Sequence, residues 1–88
     1  MFEPFTGRIL EKERVFRMWL LSQAKQMNIE IDDLVCRVSR RGYLVCFSDV
    51  LSNIDDEIET EKISSLGLAK IKVEKLESGV KFVAWVKL

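Results

Sequence analysis

The stretch from Ile71 to Leu88 constrains the fold most, because its apolar residues recur by twos. Ile71 and Val73 alternate with Lys70, Lys72 and Glu74. After Ser78-Gly79, Val80, Phe82, Ala84, Val86 and Leu88 alternate with Lys81, Val83, Trp85 and Lys87. That period belongs to a strand with one buried face. A two-residue Ser78-Gly79 loop sets Ile71 opposite Val86 and Val73 opposite Ala84, which segregates the two faces. A three-residue loop mixes lysines into the apolar row. The pattern therefore predicts a hairpin with Trp85, Val83, Lys72 and Glu74 on the face turned away from the core.

A second hairpin is predicted upstream. Leu34, Cys36 and Val38 alternate with Val35, Arg37 and Ser39, and Arg40-Arg41-Gly42 suits a type I turn closed by a left-handed glycine. This register places Cys36 opposite Cys46 and Val38 opposite Leu44, so that Leu34, Cys36, Val38, Leu44 and Cys46 share a face. Directly opposed cysteines can form a disulfide. Reduced core thiols are the favoured expectation for an intracellular chain.

Two helices are expected. Phe16, Trp19, Leu20, Ala24 and Met27 recur at helical spacing between about Leu10 and Asn28, with Asn28 suited to a left-handed terminus. Val15, Met18 and Leu21 fall on the opposite side, so this helix needs a second cover. A second helix is read from a Ser48 cap through Leu51, Ile54 and Ile58 to a Gly67 terminus, with Asp55, Asp56, Glu57, Glu59 and Glu61 on its solvated face.

The expected fold class is thus α+β. It is a single small domain over residues 1–88 with α-β-β-α-β-β order and an antiparallel four-stranded sheet with helices packed on one face. The alternative, β-α-β-α-β-β, makes Phe5–Leu10 a first strand and merges Tyr43 through Ile58 into one helix. The strand-forming run Tyr43-Leu44-Val45-Cys46-Phe47 disfavours it. Over residues 34–60, the hairpin followed by a helix resembles the roadblock family of small dimeric scaffold domains. The third strand and final helix of that family have no counterpart here, and no residue role is carried over.

An 88-residue chain forms one core, and self-association would add stability to so small a domain. Its 14 basic and 14 acidic residues cancel, so net charge steers no partner. The chain has no histidine. That excludes Ser-His-Asp and Cys-His catalysis and histidine-ligated metal. The four glycines stand singly, forming no phosphate loop. The acidic run lacks calcium-loop spacing, and two cysteines do not complete a zinc site. No enzyme, metal, cofactor or small-molecule substrate is expected. No run reaches the ~20 apolar residues of a membrane span, and the expected location is cytoplasmic. Abundant Glu, Lys and Ile with little Asn and Gln suit a thermophilic source.

Two functional readings compete. The first is a non-catalytic protein-interaction module that self-associates or binds a protein partner. It rests on Trp85, Val83 and Lys72 in the second hairpin and on Met18 and Leu21 behind the first helix. The second is a nucleic-acid-binding protein. It uses Arg37, Arg40, Arg41 and Tyr43 around the hairpin tip, extended by Arg14 and Arg17. Surplus apolar residues favour the first, because arginines are easily placed on any surface.

Overall fold

The computed structural model describes residues 4–88, with side chains described from Ile9 onward. A long helix, α1 (Pro4–Gln26), precedes five strands: β1 (Val35–Val38), β2 (Tyr43–Val50), β3 (Ile58–Ser64), β4 (Gly67–Leu76) and β5 (Gly79–Lys87). They form one antiparallel sheet in the order β1-β2-β5-β4-β3. The small α+β domain is therefore built from one helix and five strands, rather than two helices and four strands. Among the described residues, no helix is long and apolar enough to cross a membrane.

The helix starts earlier than its periodicity predicts. Pro4 opens it, at a position where the missing N–H has no intrahelical partner to lose. It also absorbs residues 5–10, which the alternative reading assigned to a strand. Its end is as expected. Asn28 adopts φ 62°, Asn28 N–H donates to Lys25 O at 3.1 Å, and Ile29 N–H donates to Ala24 O at 2.9 Å. This paired arrangement satisfies the last carbonyls and folds Ile29 back into the core beside Ala24.

Phe16, Leu20 and Ala24 lie at four-residue steps and are buried against one face of the sheet. That face presents Leu44 and Cys46 from β2, Ala69, Ile71 and Val73 from β4, and Phe82, Ala84 and Val86 from β5. Every second residue of three adjacent strands is thus removed from water. Each large side chain contributes about 1.5–3 kcal/mol by its burial.

Both predicted hairpins form, one in its predicted register. Val38 opposes Leu44 and Cys36 opposes Cys46. The loop between them closes with Gly42 at φ 81°, its N–H donating to Ser39 O at 3.0 Å. In the C-terminal hairpin the loop is Glu77-Ser78, and Leu76 opposes Gly79. Ile71 therefore faces Ala84, and Val73 faces Phe82. This is a two-residue shift from the predicted register. Because side chains alternate with period two, such a shift leaves every residue on its predicted face while changing its neighbours.

The second helix does not exist. Ser48 is no cap: it is a buried core-face residue of β2 opposite Phe82, with its hydroxyl donating to Asp49 O at 3.0 Å. β2 runs on to Val50, residues 51–57 form an irregular connection, and β3 takes up residues 58–64 of the supposed helix. Charge explains the choice. A helix stacks Asp55 on Glu59 and Glu57 on Glu61, like charges four residues apart. In the sheet, Glu59 opposes Lys72 and Glu61 opposes Lys70, so the repulsion is replaced by cross-strand attraction. Gly67, expected to end that helix, opens β4 after a tight turn. Ser64 Oγ holds the turn, donating to Gly67 O at 2.7 Å and accepting from Leu66 N–H at 3.2 Å. With no helix after the first hairpin, the resemblance to the roadblock family fails at its second element.

Candidate functional site

α1 covers one face of the sheet. Nothing among the described elements covers the other, and on it the register assembles two continuous rows. One reads Arg37–Val45–Trp85–Lys70–Glu61 across β1, β2, β5, β4 and β3; the next reads Val35–Phe47–Val83–Lys72–Glu59. Tyr43 stands beside Lys87, and Asp49–Lys81–Glu74 forms a shorter row beyond. Tyr43, Val45, Phe47, Val83 and Trp85 are each only partly exposed, although no element lies over them. They shield one another as a continuous apolar centre.

Charged residues ring that centre and are largely matched. Lys72 Nζ lies 2.7 Å from Glu74 Oε1, Lys70 Nζ lies 3.5 Å from Glu61 Oε1, and Lys81 pairs with Asp49. The neighbouring Glu74 carboxylate, which accepts a hydrogen bond from Lys72, raises that ammonium above the ordinary lysine pKa; Glu59 and Glu57 add smaller pushes in the same direction. Two further cations lie over aromatic rings. The Arg37 guanidinium is 5.7 Å from the Phe47 ring centre, and Lys87 Nζ is 5.0 Å from that of Tyr43. Lys87 also donates to Arg41 O, while Leu88 N–H donates to Gly42 O at 2.9 Å. A side chain at position 42 would need the left-handed φ and would put its Cβ 3.1 Å from Lys87 Nζ. Glycine there keeps the lysine stretched across Tyr43.

The fold brings together residues that the sequence assigned to rival functions. Trp85, Val83 and Lys72 share the open face with Arg37 and Tyr43. Arg40 and Arg41 are exposed at the adjoining hairpin tip. The helix residues do not join them. Met18 and Leu21 are 66% and 46% exposed on the outer side of α1. Arg14 and Arg17 also belong to that layer, and Arg17 is bound to Glu13 at 2.9 Å. Val45 and Phe47 are additions, deducible from the inward direction of Cys46. Glu59 and Glu61 are also additions, hidden by the helical reading of β3, and Lys70 joins Trp85 through the shifted register of the C-terminal hairpin.

Cys36 and Cys46 form a disulfide across β1 and β2, with a sulfur–sulfur distance of 2.09 Å. This corrects the expectation of reduced thiols. The hairpin register explains it: the pair sits where facing strands exchange no hydrogen bonds and approach closest, and their Cα atoms are 4.0 Å apart. The bond lies on the covered side, with Cys46 fully buried. Among the described residues, no three Cys, Asp or Glu side chains gather to hold a metal ion. No family model, curated protein or solved structure matches the chain, so its own residues and their arrangement carry the functional argument.

Proposed function

We propose that this chain is a non-catalytic interaction module that associates with a second copy of itself through the open face of its sheet. One observation carries the reading: an aromatic and valine centre with no covering element is ringed by cations matched to carboxylates on the same face. An apolar middle with a polar rim is the anatomy of a protein–protein interface. Five strands about 4.8 Å apart and nine residues long at β5 give a face of roughly 24 Å by 30 Å. That is on the order of 700 Å², close to the about 800 Å² per partner of standard interfaces. The absence of histidine and the oxidation of both thiols support a non-catalytic role. Cytoplasmic placement is compatible with the disulfide in intracellular proteins of hyperthermophiles, where such bonds are common.

Sedimentation of the native chain tests this. A dimer that becomes monomeric on Trp85→Asp, with unchanged far-UV circular dichroism, supports the reading; a wild-type monomer at high concentration overturns it.

Nucleic-acid binding is the second reading, favoured by Arg37 over Phe47 and Lys87 over Tyr43 beside the tip arginines. It ranks lower because Lys70, Lys72 and Lys81 are already neutralised. Titration with labelled single- and double-stranded DNA and RNA in about 50 mM salt decides it. Binding that Arg40→Ala/Arg41→Ala weakens, with a shallower salt dependence, would promote it over self-association.

A further inference from the structure

The row Arg37–Val45–Trp85–Lys70–Glu61 has a property that a generic sticky surface lacks. It begins with a cation on one sheet edge, ends with an anion on the other, and has its tryptophan on the central strand. Turning a copy over about an axis parallel to β5 exchanges the two edges and leaves the centre in place. β3 of the copy then faces β1 of the original, and β4 faces β2.

From this register we infer that the open faces of two copies pack about a two-fold axis running close to β5 through Trp85, with Arg37 of each copy paired to Glu61 of the other. The inference rests on the self-association proposed above and specifies its geometry. Charge complementarity selects the arrangement. Among the described residues Arg37 has no carboxylate within ion-pair distance, and it lies exposed on the edge strand β1. Glu61 reaches only Lys70, at 3.5 Å, with both side chains about half exposed. A two-fold axis perpendicular to the strands brings β1 over β1 and β3 over β3. Arg37 then meets the cationic edge of its copy, and Glu59 and Glu61 meet the acidic one. The parallel axis avoids both repulsions. It also stacks the two indoles at the centre, where aromatic anchors contribute most. Facing sheets lie about 10 Å apart with strands within about 30° of alignment, a gap that an arginine and a glutamate can bridge together.

Charge reversal with mixing tests the geometry. Arg37→Glu alone and Glu61→Arg alone each place two like-charge pairs in the homodimer, so each is expected to weaken dimerisation about tenfold or more. Mixing the two variants restores association near the wild-type value, because both cross-contacts in the mixed dimer join opposite charges. The double variant recovers likewise. Circular dichroism of each variant excludes loss of fold. If wild-type dimers dissociate on Trp85→Asp but the mixed charge variants associate no better than either alone, the two-fold arrangement is wrong and self-association stands. If the wild-type chain is monomeric, both fail together.

Discussion

The two faces of one sheet carry similar numbers of large side chains and use them differently. Under α1, Phe82, Ile71, Val73 and Val86 are essentially inaccessible to water, with the buried Ser48 opposite Phe82. On the far side, Trp85, Phe47, Tyr43, Val45 and Val83 retain partial exposure, and lysines paired with acids surround them. The first face meets a fixed partner at close-packed density. The second shields itself sideways and keeps its lysines compensated by acids on the same face. Aromatic content alone therefore does not distinguish the covered face from the open one; the company of matched charges does.

The sharpest way to break this contrast is to truncate one residue on each face. Phe82→Ala removes a fully buried ring and is expected to cost about 3–5 kcal/mol, read from urea unfolding. Trp85→Ala is expected to cost the isolated monomer well under half as much, while abolishing self-association in sedimentation. Equal losses of monomer stability at both positions would mean that the open face is structural, and the contrast would collapse.

Next in size is reduction of Cys36–Cys46. The bond joins residues ten apart and ties the short edge strand β1 to β2. Closing a loop of that length stabilises by about 2.5 kcal/mol, chiefly by restricting the unfolded chain. A reductant should lower unfolding stability by that order and speed amide exchange at Val35–Val38. Since β1 carries Arg37 and Val35 on the open face, reduction should weaken self-association as well. Unaltered exchange in β1 after complete reduction would remove this link between the faces.

What the sequence disclosed follows the same division. Wherever one face of a strand is buried by the helix, the alternation is strong: β5, the core half of β4 and the first hairpin are readable to the face, and the alternation alone turns Trp85 outward. The helix end was readable because Asn28 has few reasons to precede Ile29 except to terminate. β3 was not. It is an edge strand whose core side offers Ile58, Thr60, Lys62 and Ser64, a single large apolar residue among them, and whose outer side offers Glu59, Glu61 and the 77% exposed Ile63. With so little burial to impose a period of two, Leu51, Ile54 and Ile58 gave a clearer helical stripe than the strand gave its own pattern. The deciding term was cross-strand charge, visible only once Lys70 and Lys72 are set opposite the acids. Charged edge strands resist sheet-to-sheet aggregation for the same reason that they resist detection. The two-residue shift at Glu77-Ser78 escaped because parity cannot see it. It moved Lys70 beside Trp85, and with that the row on which the two-fold inference rests.

The smallest expected effect probes the rim itself. The Lys72 ammonium is held above the ordinary lysine pKa, first by its hydrogen bond to Glu74 and then by that carboxylate's charge. Below the unfolded-state value of about 10.4 the residue is protonated in both states, and the pair's contribution to stability is fully present. As pH rises past that value the unfolded chain releases its proton first, so stability falls, and the contribution is gone once the folded ammonium has titrated too. The pair is exposed, so the stability change should be slight; direct titration of the lysine side chain by NMR is the better measurement. In the Glu74→Gln variant the Lys72 midpoint should move down toward that of an ordinary lysine. An unchanged Lys72 midpoint would show that the rim cation is not compensated by Glu74. The open face would then carry free positive charge, which is the condition under which nucleic-acid binding overtakes self-association as the better reading of this surface.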